Sequence, residues 1–317
     1  MEVKRIRELT MHRSSAERST IVSSASGLAI IGSNAYIVAD DSLSLATFNI
    51  HNSEPGNWIS LFDGELPEEY KARKKKKPDL EAICVLPSDR FSPHGALLAV
   101  PSGSKSWRTN GAFLYLNSEG QIDGEPLPVD YTKLFEFLEP KVGRLNIEGV
   151  AVDEKSLLLA NRGNSKNSVN AILELRLDVV LKQIHDTHVL DETSYIGRKT
   201  YELGELKGVP LSFTDLCVRP DRTKIFSAAA ELTEDAYDDG DCFGSVIGAI
   251  SSADEILKIE VVDAPIKIEG VYVRSWTATT CDLLLVTDAD SETIPAAMYS
   301  AVLDFAQKQV QLNTAKL

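Results

Sequence analysis

The chain has 317 residues, 43% hydrophobic and 25% charged, enough apolar material for a large core in an ordinary globular protein. Its formal net charge of -14 argues against a general binder of nucleic acid or anionic membrane, because either role needs a basic surface. No stretch approaches the ~20 apolar residues that span a bilayer, and the charged N-terminus lacks an apolar leader core, so the sequence predicts a cytoplasmic protein.

Taken in order, the chain repeats itself. Apolar runs of strand length begin at Ala25 (ASGLAII), Leu80 (LEAICVL), Ile147 (IEGVAVD), Phe213 (FTDLCVR) and Ile268 (IEGVYVR). Each is followed by a second run, from Ala35, Ala96, Ser156, Lys224 and Asp282, and then by a third: LATFNI, AFLYLN, AILELRL, SVIGAI and MYSAVLDF. A less regular fourth run closes most units, as in NWISLF and ILKIEVV. Runs this short, bounded by turn residues, read as strands rather than helices.

Four strands per unit, repeated in series, predict an all-β fold, a β-propeller of five four-stranded blades in one domain over 1–317. A six-bladed ring is the alternative, its last blade assembled from VKRIRELTM near the N-terminus and KQVQLNTAKL at the C-terminus. The more natural role for these ends is to complete a sheet at ring closure. The anchor residues Ser26, Glu81, Glu148, Thr214 and Glu269 are 55, 67, 66 and 55 residues apart. The excess over the usual ~40–50 of propeller repeats sits in insertions. Short helices are predicted at YTKLFEFLEP from Tyr131 and DVVLKQIHD from Asp178. The basic run Lys71 to Lys77 reads as a solvated loop.

In a propeller the first strand of each blade lines the channel and the second returns antiparallel to it. The start of strand one and the end of strand two therefore share a rim. That rim gathers Ser26, Glu81, Glu148, Thr214, Asp215 and Glu269 from strand starts. Strand ends and the loops after them add Asp40, Asp41, Ser102, Ser104, Arg108, Asn161, Arg162, Glu231, Asp288 and Asp290. Three glutamates at equivalent places on a ring need their charge met, because like carboxylates in one low-dielectric site cannot all stay ionised.

Three arrangements meet it. The ring is fully paired within the protein, with Arg108 and Arg162 as counter-ions; or Glu81, Glu148, Glu269 and Asp215 hold a hard cation such as calcium; or the arginines receive a small anionic ligand. The loop from Glu231 (ELTEDAYDDGDCFGS) lacks the ligand spacing of an EF-hand.

Other chemistries find little support. His12, His51, His94, His185 and His188 fall outside the rim, with the last two read as surface residues on or beside the second helix. Cys84, Cys217, Cys242 and Cys281 lack metal-site spacing. Ser102 and Ser104 have no adjacent base and read as hydrogen-bonding groups of a rim loop.

The ordered motifs KPDLEAI, SGS, NIEG, NRGN, SFTDL, AAAE, KIEG and TDAD give the chain a resemblance to a family of uncharacterised bacterial β-propeller proteins, over nearly its whole length. The recurring Glu-Gly at strand starts is also distantly similar to phytase-like and SdiA-regulated propellers. Among their relatives are calcium-dependent phosphoesterases and lactonases. The resemblance implies a propeller with a metal-linked or anionic ligand and, if it is an enzyme, hydrolysis of a phosphoester or lactone. Ser26 and Thr214 depart from the glutamate pattern, and the lysines of a phytase cleft have no counterparts here. A non-enzymatic scaffold receiving a protein partner on the same face is the competing expectation.

Overall fold

The computed structural model describes residues 1–13, 19–67, 69–165, 167–232, 241–289, 291 and 293–306. After β1 (Val3–Glu8), the first blade comprises β2 (Ala25–Ile31), β3 (Asn34–Ala39), β4 (Ser44–Asn49) and β5 (Asn57–Ser60). Helix α1 (Tyr70–Lys76) leads into the second: β6 (Leu80–Leu86), β7 (Ala96–Pro101), β8 (Asn110–Tyr115) and β9 (Leu127–Asp130). After α2 (Thr132–Val142), the third blade is β10 (Ile147–Asp153), β11 (Ser156–Asn161) and β12 (Ala171–Arg176), then α3 (Leu177–Thr187), then β13 (Tyr195–Thr200).

The short β14 (Glu205–Leu206) adds an inner ribbon to the fourth blade, β15 (Val209–Val218), β16 (Lys224–Leu232), β17 (Asp241–Ile250) and β18 (Ile256–Val261). The fifth holds β19 (Lys267–Trp276), β20 (Thr280–Asp288) and β21 (Ala297–Asp304), and its outer strand is β1. The ring is therefore closed by the N-terminal strand, antiparallel to β21, with Val3 opposite Ala301. This settles the blade number at five. The C-terminal segment KQVQLNTAKL, Asp290 and most of the loop after Glu231 lie outside the described residues.

The first strands pack in the cyclic order β2, β6, β10, β15, β19 and back to β2. The apolar core accordingly consists of five seams, one between each pair of neighbouring blades. A sheet with both faces packed on neighbours needs apolar side chains on both faces, which is why strands such as Ala96–Pro101 are buried at every position. The predicted helices α2 and α3 bury Leu134, Phe135, Leu138 and Val142, and Leu177, Val180 and Ile184, each at helical spacing.

Two expectations need correction. Lys71 to Lys77 is not a solvated loop: it is largely helix α1, with Lys74 buried and the Lys77 side chain only 10% exposed. Charge composition cannot foresee this, since Lys77 is drawn inward by the buried Asp79 and by Asp40, 37 residues away in sequence. His185 is not a surface residue either. Its ring packs tilted against Phe91, with centroids 4.3 Å apart, and lies 3.5 Å from Asp89 and 3.4 Å from the Tyr115 hydroxyl.

Candidate functional site: the mouth of the central channel

Every first strand carries a β-bulge, and in every blade it falls on the repeat anchor. Pairing with the second strand skips Ser26 in β2, Glu81 in β6, Glu148 in β10, Thr214 in β15 and Glu269 in β19. A bulge leaves one residue outside the ladder and re-aims its side chain. Here the mechanism repeats five times around one axis and gathers the anchors at the channel mouth.

The residue after the anchor explains the recurrent Glu-Gly. A Cβ on Gly149 would sit 2.7 Å from Leu216 N and 3.0 Å from Asp215 C, and one on Gly27 3.1 Å from Ile83 N. On Gly270 it would meet Leu28 Cβ at 3.1 Å. Glycine lets the backbone of the next blade approach.

Three anchors converge. One carboxylate oxygen each from Glu81, Glu148 and Glu269 lie within 4.8 Å of one another, and so do oxygens of Asp40, Asp79 and Glu81. The two trios share Glu81. Around them runs an ion-pair network. Arg162, from the loop after β11, reaches Glu231 at 2.6 Å, Glu148 at 3.3 Å and Glu269 at 3.9 Å. Lys267 lies 3.1 Å from Glu269 and 3.4 Å from both Glu231 and Asp288.

On the other side Lys77 pairs with Asp40 and, at 2.9 Å, with Asp79. Asp79 also takes bonds from Arg108 (2.6 Å), Ser104 (3.2 Å) and Ser102. Asn146 Nδ2 donates to Glu148 at 2.6 Å.

Among the described residues Glu81 has no lysine or arginine within ion-pair distance, and Glu148 and Glu269 share Arg162. The crowding of carboxylates shows in the titration of the ring. Burial, then repulsion from Glu148, Asp79 and Asp40, holds the Glu81 carboxyl well above the ordinary carboxylate range. Burial pushes Glu148 up to about 8 against the pull of Arg162. Glu269 is raised by burial although Lys267 and Arg162 oppose it. Its Oε1 is buried and faces Lys267 Nζ at 3.1 Å. Asp79 goes the other way: burial would raise it, but Lys77 and Arg108 together hold it below its usual value.

The remaining predicted residues are near but differently engaged. Asp215 does not join the converging oxygens. It occupies the position after the bulge, where other blades have Gly27, Gly149 and Gly270, so it faces the next blade rather than the channel. Its oxygens accept from Val271 N and Leu216 N, both at 2.7 Å, and burial raises its titration well above the usual range. Thr214 donates to Ile268 O at 2.6 Å, and Ser26 to Ser24 O at 3.1 Å. Ser102 serves the Asp79 network, and Asp288 sits beside Lys267.

Lys77, Asp79, Asn146 and Lys267 were missed as site residues by the sequence reading. A signal was present for three of them, because the residue two before each anchor is polar in every repeat: Ser24, Asp79, Asn146, Ser212 and Lys267.

What the arrangement offers chemically is a set of hard oxygen donors from three blades, walled by fixed cations. That donor set suits calcium, magnesium or manganese.

Residues 21–303 match the model of a family of unknown function (DUF6929). The search of curated proteins returned no match. Similar solved structures include a Myxococcus xanthus glutaminyl cyclase (10% identity, TM-score 0.49, 95% of this chain and 96% of the other). Others are a luciferin-regenerating enzyme (10%, 0.43, 94% and 96%) and a putative gluconolactonase (12%, 0.38, 86% and 72%).

Proposed function

We propose that this chain, which belongs to the family of unknown function DUF6929, holds one divalent cation, calcium, between Glu81, Glu148 and Glu269 and presents it to a small anionic ligand at the channel mouth. The observation that carries the reading is the meeting, within 4.8 Å, of one oxygen from each of three blades, one of them from Glu81, which no lysine or arginine reaches within ion-pair distance among the described residues. An ion there relieves repulsion that the protein's own cations leave unmet.

The chemistry such an ion supplies is polarisation of a phosphoryl or lactone oxygen and a lowered pKa for bound water. The chain's own residues fix the donors. Arg162 and Lys267 hold Glu148 and Glu269 in place, and Asn146 orients Glu148 through its 2.6 Å bond. We therefore read the protein as a ligand-binding propeller of hydrolytic type.

The test is calorimetric titration of calcium into chelator-treated protein, with thermal melting alongside. One saturable site and a raised melting temperature support the reading, and their loss in Glu148→Gln assigns the ligand. Absence of binding refutes it. Calcium-dependent turnover of a phosphoester or lactone panel then decides the hydrolytic part.

A second reading has its own observation: Trp107, 51% exposed, lies next to Arg108 in the loop after β7. An exposed aromatic beside the mouth suits a protein partner on a non-enzymatic scaffold. Pull-down that fails with Trp107→Ala while calcium binding is kept would favour that reading.

A further inference from the structure

The two trios of carboxylates at the mouth are alike in donor type and share Glu81, and both face cations of the protein, but at different range. In the trio of Glu81, Glu148 and Glu269, Arg162 Nη1 stands 3.3 and 3.9 Å from Glu148 and Glu269, and Lys267 meets Glu269 alone. Into the trio of Asp40, Asp79 and Glu81 the protein inserts an ammonium in direct contact with two of the three. Lys77 Nζ pairs with Asp40 and with Asp79 Oδ1 at 2.9 Å, and the attraction of all three carboxylates holds Lys77 protonated in spite of its burial. Asp79 Oδ1 is buried, and the Lys77 ammonium is the cation that meets it. No lysine or arginine pairs with Glu81 within ion-pair distance among the described residues.

The ammonium is also pinned from behind. Lys77 follows α1, whose Lys74 carbonyl accepts from Arg108 Nη2 at 3.1 Å, while Arg108 Nη1 bonds Asp79 Oδ2 at 2.6 Å. One guanidinium thus fixes both the helix that delivers Lys77 and the carboxylate that receives it. A tethered charge needs no free ion to fill its place, and it repels any second cation brought to Glu81.

We propose that Lys77 is a built-in occupant of the first trio, a positioning residue that limits the mouth to one divalent ion and leaves Glu81 to be shared with it. This rests on the cation reading of Glu81, Glu148 and Glu269. Removing the ammonium turns the first trio into a second oxygen site bridged to the first by Glu81.

The experiment is calorimetric calcium titration of the wild type, Lys77→Met, Lys77→Arg and the Asp40→Asn/Lys77→Met double variant. The expected stoichiometries are one, two, one and one. Lys77→Met that binds no more calcium than the wild type overturns the proposal. Failure of the wild type to bind refutes the cation reading separately. Lys77→Met still decides in that case, since a newly gained equivalent supports the built-in occupant and none removes it. If Lys77→Met does not fold, Lys77→Gln, which keeps a donor for Asp79, takes its place in every arm.

Discussion

Arg162 Nη2 lies 2.6 Å from Glu231 Oε2, a bond that spans 69 residues of sequence and ties the end of the third blade's second strand to that of the fourth. The same guanidinium faces Glu148 and Glu269. Arg162 thus serves three carboxylates from three blades and is 4% exposed.

Arg162→Met should therefore destabilise the fold strongly. Breaking a buried pair by removing one partner costs about 3–5 kcal/mol, because the carboxylates left behind are buried without their counter-ion. Denaturant unfolding checks this, and a loss below about 1 kcal/mol would mean that Lys267 takes over the charge.

The glycine after the bulge makes a second prediction. Gly149→Ala places a methyl 2.7 Å from Leu216 N and 3.0 Å from Asp215 C, both backbone atoms of the next blade. Neither can step aside as a side chain tip would. Overpacking of this kind costs about 1–3 kcal/mol, read as a lower denaturation midpoint. Full stability would show that the seam between the third and fourth blades is looser than its geometry.

Asp215 provides a control for the cation site. Asp215→Ala removes the acceptor of Val271 N–H and should cost about 1–3 kcal/mol for an unsatisfied buried donor, while calcium affinity stays at the wild-type level. An affinity loss comparable to that of Glu148→Gln would return Asp215 to the ligand set.

The pH dependence follows from the raised carboxyls. Glu148 titrates at about 8 in the fold against an ordinary 4.5, and Glu81 and Glu269 are raised with it. Between those values the folded, cation-free protein holds protons that the unfolded chain has released. The contribution to stability is complete below about pH 4.5 and is lost as pH rises through about 8. The lowered Asp79 acts in the opposite sense, its contribution being lost only as pH falls below its ordinary 3.8. Chelator-treated protein should melt at a lower temperature at about pH 8.5 than at about pH 5.5, and calcium should raise the melting point more at the higher pH. A cation-free melting temperature that climbs over this interval would contradict the assignment.

The repeat was legible in the sequence because a blade buried on both faces must be built from short apolar runs, and a ring of blades must repeat them. Ser26, Glu81, Glu148, Thr214 and Glu269 could be aligned from local pattern alone. What the pattern could not supply was direction. That Glu81 turns into the channel while Asp215 turns to the neighbouring blade depends on a one-residue bulge, and a bulge exists only in the pairing of two strands.

Nor could composition place Lys77. Its neighbours Lys75 and Lys76 are exposed as a basic run should be, yet Lys77 is drawn inward by Asp40 and Asp79. Periodicity determined the ring, because burial on both faces is a local demand. The balance of charge at its mouth was decided only by the fold, which brings together carboxylates and cations from all five blades in a space where each must find a counter-charge.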